Sequence, residues 1–152
     1  MSSRNMNPHG YWGFVKDPIH GYIRLTETER KVLDTGPVQR SRRSKQLSAA
    51  EYVYPAATHT RFEHALGTMY LAGVVAENLP VDLDEKEKTS LKVAALLHDV
   101  GHAPFSHLFE PLLVKYLGKT HEDMSTRIIL ESELRDTLVG EGLDAKTLSK
   151  LC

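Results

Sequence analysis

The chain has one cysteine in its 152 residues, and it is the last of them, Cys152. No disulfide can close within the chain, so a reducing compartment is the expectation. Long hydrophobic runs are missing as well. No stretch approaches the roughly 18 apolar residues that cross a bilayer. The opening MSSRNMNPHGYWGF also lacks an apolar core of signal-peptide length. Neither sign of charge dominates, with Lys+Arg 19 against Asp+Glu 20. A basic coat for nucleic acid or a membrane surface is therefore not indicated. There is no internal repeat, low-complexity tract or linker, and one domain is expected at this length. These absences describe a soluble cytoplasmic protein. What the sequence has in excess is histidine: eight residues, at 9, 20, 59, 64, 98, 102, 107 and 121, with four of them in the interval 98–121.

Read for elements, residues 1–13 form a loose terminus and 14–152 the folded domain. FVKDPIHGYIRL (14–25) has two short β-prone runs around Asp17-Pro18 and Gly21, the pattern of a small hairpin. Thr26-x-x-Glu29, Thr60-x-x-Glu63 and Asp84-x-x-Glu87 each have capping-box spacing, so helices are expected to begin just after residues 26, 60 and 84. The first should stop near Gly36-Pro37, and the basic stretch 38–47 reads as helical. Phe62, Leu66, Met69, Tyr70, Gly73 and Val74 recur at helical spacing in the second. The third is apolar on most sides through Leu91, Ala94, Ala95, Leu96 and Leu97, which places it in the centre of the fold. Gly101 and Pro104 break it, a helix from Phe109 to Leu117 ends at Gly118, and Thr120 caps another from His121. LDAKTLSKLC, at the end, is a short helix at best. The class is all-α with a minor N-terminal β-hairpin.

His98-Asp99 closes the most apolar helix. An ionised carboxylate in that position is costly unless a cation or a hydrogen-bond network meets it. Mixed imidazole and carboxylate donors suit Mn, Fe, Zn, Co or Ni, and such an ion polarises phosphoryl oxygens and generates a hydroxide nucleophile. Lone histidines such as His20 and His59 read as structural. From the residues alone the interval 98–107 is a metal site of hydrolytic type.

His64 with His98-Asp99 resembles the signature of the HD-domain metal-dependent phosphohydrolases. The longer set DPIHG (17–21), KQL (45–47), THTRFEHALG (58–67), LLHDVGHAPFSH (96–107) and THE (120–122) resembles, in order and spacing, the deoxynucleoside triphosphate triphosphohydrolases, including the SAM-and-HD-domain type. The similarity runs over about residues 14–131. It implies an HD-domain helical bundle that cleaves dNTP to deoxynucleoside and tripolyphosphate, with a divalent ion (Mn, Fe, Mg, Zn, Co or Ni) held by His64, His98 and Asp99. It implies Arg61 at the substrate phosphates, His102 and His107 at the α-phosphate or moving protons, Glu110 beside them as a carboxylate, and His121 as general acid. Gln46-Leu47 would read the sugar, the amide meeting the 3′-OH and the leucine crowding a 2′-OH. A homo-oligomer with a guanine-nucleotide activator at Asp34, Gln39 and Arg42 is also implied, although the usual solvated basic face remains an equal reading of that stretch.

The chain departs from the family pattern at several points. Glu110 stands where an aspartate is usual, Ser48-Ala49-Ala50 replaces glycines, and Ser41 and Ser44 replace hydrophobic residues. Gly13 stands where a lysine would support triphosphate binding at the regulatory site. The family's last metal ligand is an aspartate far downstream, and Asp123, Asp136 and Asp144 lie in no matching context. The expectation is the N-terminal part of a longer protein. Two other functions stay open: a nucleotide-binding regulatory module without turnover, and an HD phosphatase or phosphodiesterase acting on nucleoside monophosphates or cyclic nucleotides. The sugar pair argues against the last.

Overall fold

Thr26, Thr60, Asp84 and Thr120 each start a helix by the same device. The side chain accepts the backbone N–H three residues on, and the carboxylate there reaches back to the cap's own N–H. In a computed structural model, which describes residues 10–152, this gives α1 (Glu27–Leu33), α3 (Arg61–Asn78), α4 (Glu85–Leu97) and α6 (His121–Glu131). The remaining helices are α2 (Gly36–Gln39), α5 (Glu110–Leu117), α7 (Glu133–Gly140) and α8 (Ala145–Leu151). No helix among the described residues is long and apolar enough to cross a membrane.

The hairpin pairs β1 (Gly13–Asp17) with β2 (Gly21–Leu25), antiparallel, in the register Gly13 to Leu25 and Asp17 to Gly21. Asp17 closes its turn by accepting from the N–H groups of Ile19 at 2.9 Å and His20 at 2.7 Å. The chain is already tied at Trp12, whose N–H donates to the Leu25 carbonyl at 2.8 Å. The loose terminus expected over residues 1–13 therefore gives way to order by Trp12, and its residues 1–9, His9 included, lie outside the described residues.

Two boundaries differ from expectation. Gly36-Pro37 does not simply end α1, which stops at Leu33. Pro37 sits in the first turn of α2, where its missing N–H would have no helical partner anyway. Residues 38–47 are not one helix. Arg40–Arg43 form a 3-10 turn, Ser44 is extended, and Lys45 bridges Thr60 antiparallel. Gln46 N–H donates to His59 O at 3.1 Å and Arg61 N–H to Ser44 O at 2.8 Å, so the basic segment is laced to the head of α3 instead.

α3 packs along α4, α8 packs on α4, and α6 and α7 pack on α8 and on each other. Met69 of α3, Val93 and Leu97 of α4, Ile129 of α6, Leu134 and Leu138 of α7 and Leu148 of α8 are all fully buried in one cluster. Replacing any of the leucines with alanine would cost about 2–5 kcal/mol. The consequence for function is placement. The start of α3, the end of α4 and the start of α6 meet at one side of the core.

Candidate metal centre

His64 lies in the first turn of α3, and His98 is the residue that caps α4. After His98 the chain turns sharply, Val100 N–H donating to Leu97 O at 3.0 Å and His102 N–H to Asp99 O at 3.2 Å. His64, His98 and Asp99 thereby bring one ligand atom each to within 4.8 Å of one another. His64 Nε2 and His98 Nε2 are 3.2 Å apart, and Asp99 oxygens lie 3.8 Å from the first and 3.4 Å from the second.

The donor set fits a divalent cation on its own chemistry. His98 Nδ1 is 2.8 Å from the Ala95 carbonyl, which can only accept, so Nδ1 donates there and Nε2 is left to face the cluster. Burial, then the charge of His98, lowers the His64 pKa and favours the neutral imidazole a metal requires, against the pull of Asp99. Asp99 remains ionised. Burial pushes its carboxyl up, but the hydrogen bond from His102 and the charges of His98, Arg61 and His102 together hold it well below the usual range. Among the described residues no further carboxylate joins these three. Asp123 is spent in the capping box of α6 and Asp144 as the cap of α8.

A second group, His102, His107 and His121, sits one turn further along, its ligand atoms also within 4.8 Å of one another. The rings of His102 and His121 stack at 4.1 Å, and His107 stands edge-on to both. Glu110 lies 2.5 Å from His121 Nδ1 and 3.1 Å from His107 Nδ1. Those two contacts, His121 first, hold the Glu110 carboxyl down to about 2. The longer carboxylate at this position still reaches both rings.

Arg61 stands beside the first group, against Asp99. It is 3% exposed, its Nη1 donates to Asp99 Oδ2 at 2.6 Å, and its buried Nε has no partner among the described residues. An orphaned guanidinium N–H of that kind suits an anion with several acceptor oxygens. Gln46 approaches the same carboxylate, Nε2 lying 3.5 Å from Asp99 Oδ2, while Leu47 is exposed. Of Asp34, Gln39 and Arg42, the last two are joined, Arg42 Nε donating to Gln39 Oε1 at 2.8 Å, with the guanidinium over the Phe62 ring. Asp34 is paired instead with Arg30 at 2.7 Å. His20 packs on the Tyr70 ring and against Gly67, and joins neither group.

The sequence marks Gly101 as a helix breaker and gives no sign of a role for Ser125. A Cβ on Gly101 would lie 2.2 Å from both His121 O and Ser125 N, so only glycine lets the turn after Asp99 sit against α6. The fully buried Ser125 hydroxyl accepts from Gly101 N–H at 2.9 Å and donates to His98 O at 3.3 Å. Arg40 Nη2 donates to the carbonyl of Val100 in the same turn. These contacts fix the register between the first histidine group and the second.

An imidazole–carboxylate centre carried on a helical bundle, with an arginine beside it, defines a metal-dependent hydrolase class. Residues 61–151 match the family model described as HD domain. The chain belongs to the HD domain family, whose members are divalent-metal-dependent phosphohydrolases.

Among individual proteins, it is 37% identical over 142 residues to the deoxynucleoside triphosphate triphosphohydrolase SAMHD1 of Bos taurus, covering 85% of this chain and 24% of that one. It is 41% identical over 120 residues to the protein of that name from Homo sapiens, covering 73% and 19%. An uncharacterized protein of Methanocaldococcus jannaschii is 38% identical over 143 residues, covering 89% and 30%. The chain thus spans about a quarter of the length of the curated relatives it matches.

Proposed function

We propose that this chain is the hydrolytic core of a dNTP triphosphohydrolase, cleaving dNTP to deoxynucleoside and tripolyphosphate. One observation carries the reading: a three-donor metal set and a second histidine group meet across a single turn, with buried Arg61 donating to Asp99 of the first. The names of the bovine and human relatives support the choice of substrate.

His64, His98 and Asp99 hold the divalent ion, which when bound polarises a phosphoryl oxygen and lowers the pKa of water. Arg61 binds phosphate oxygens through its free N–H, and His102 and His107 orient the α-phosphate. His121, with Nδ1 against Glu110, turns Nε2 toward the substrate and protonates the departing 5′-oxygen. Glu110 fixes the ring orientation needed for that step. Gln46 and Leu47 meet the deoxyribose. Asp34, Gln39 and Arg42 take a guanine nucleotide between subunits of a cytoplasmic homo-oligomer, once Asp34 leaves Arg30.

The test is ³¹P NMR of the chain with mixed dNTPs and Mn²⁺. A growing tripolyphosphate signal is the expected result, and orthophosphate release points instead to a phosphatase of the same family. A second reading, nucleotide binding without turnover, is favoured by the three-ligand count among the described residues. Saturable dNTP binding with unchanged spectra would establish it.

A further inference from the structure

Among the described residues, only Ser48 at φ 53° and Phe105 at φ 64° are left-handed without being glycine. This region is disfavoured for any residue with a Cβ, and neither is an asparagine or aspartate, which tolerate it best. Such conformations persist only where the surroundings over-determine them, and they gather at functional sites. Here the two residues are bonded to each other. Ser48 Oγ donates to the Phe105 carbonyl at 2.7 Å, joining positions 57 residues apart in sequence.

What lies on either side gives the bond its meaning. Ser48 directly follows Gln46 and Leu47, and Ala50 N–H closes a turn around it by donating to Leu47 O at 2.9 Å. Phe105 stands between His102 and His107. Its carbonyl also accepts from Leu108 N–H at 3.1 Å, which starts the 3-10 turn carrying His107. One hydroxyl therefore spans from the Gln46–Leu47 turn to the histidine turn, with a strained residue at each end. Serine is the smallest side chain that can make this bond. Glycine would suit the backbone better but has no donor, and alanine would keep the strain without the bond.

We propose that Ser48 is a positioning residue, whose bond to the Phe105 carbonyl fixes the Gln46–Leu47 turn against the His102–His107 turn and so sets discrimination between deoxyribose and ribose. The sugar clause rests on the nucleotide reading given above. The bond itself does not.

Ser48→Ala and Ser48→Gly in the full chain separate bond from strain. Amide hydrogen exchange is read at Leu108, with amides of α3 and α4 as the control for folding. In parallel, dATP and ATP are titrated in Ca²⁺ as a weakly polarising ion. The expected result is exchange at Leu108 about 10-fold faster in both variants, with control amides unchanged. The preference for dATP over ATP should fall by about 5-fold or more in both, while phosphate affinity stays. Unchanged exchange at Leu108 overturns the proposal, as does faster exchange in the glycine variant alone, which would report backbone freedom rather than the bond. Faster exchange in both with an unchanged dATP preference overturns the sugar clause. A parent chain that binds neither nucleotide overturns the nucleotide reading and the sugar clause with it, and Leu108 exchange still decides the bond.

Discussion

Burial alone would push the Asp99 carboxyl up, yet the His102 bond and the neighbouring positive charges win and keep it ionised. Asp99→Asn keeps the volume and removes the charge. Mn²⁺ affinity, read from the free-ion EPR signal, is expected to fall by more than the roughly 10–100-fold that losing an outer-shell partner costs. Affinity equal to the parent's would remove Asp99 from the metal set. Glu110 gives a different handle, because its carboxyl is held down to about 2 by His121 and His107. A depressed carboxylate contributes stability that is fully present above its ordinary value of 4.5 and is lost as pH falls toward about 2. Glu110→Gln should therefore flatten the urea midpoint across that window, and an unaltered acid limb would show that the contact is not made in solution. At this scale the sequence was partly legible. His98-Asp99 announced itself because a charge at the end of an apolar helix needs a partner. Ser125 and Ser48 did not, because a serine gives no local sign that its hydroxyl meets a backbone group 24 or 57 positions away.

Helix starts were legible for a related reason: a capping box is a complete local hydrogen-bond arrangement, and the three boxes read at Thr26, Thr60 and Asp84 formed, as did the cap at Thr120. Where the outcome depended on partners distant in sequence, the reading failed. The basic stretch 38–47 has helical composition, yet Ser44 and Gln46 exchange hydrogen bonds with Arg61 and His59, and the tertiary ladder prevails over propensity. The same pull of tertiary contacts makes the junction of α4 and α6 the most sensitive in the molecule. Gly101→Ala would press a methyl into the backbone of His121 and Ser125, which forces the two histidine groups apart. The expected loss is about 3 kcal/mol or more in chemical unfolding. Ser125→Ala, which leaves the Gly101 N–H buried without its acceptor, should cost about 1–3 kcal/mol. A neutral Gly101→Ala would mean that the turn and α6 do not touch as described.

The proposed metal donors come from the start of α3 and the end of α4, and the second histidine group from the turn after α4 and the start of α6. A cation held by the first group therefore cross-links two helices that pack along each other in the core, and binding must act on the stability of the whole. It binds only when both helices are in place, so linkage gives about 2.7 kcal/mol at about 100 times Kd. For a domain of this size that is roughly 5–10 °C in Tm. Calorimetry with and without Mn²⁺ should show the shift, and EDTA should return it in full. Asp99→Asn should show almost none of it, whereas Glu110→Gln, outside the donor set, should keep it. If Glu110→Gln also abolishes the shift, the ion is held by the second histidine group rather than the first, and the assignment of His64, His98 and Asp99 falls. If the parent shows no shift at all, these three donors do not hold the ion, and the assignment of His64, His98 and Asp99 falls.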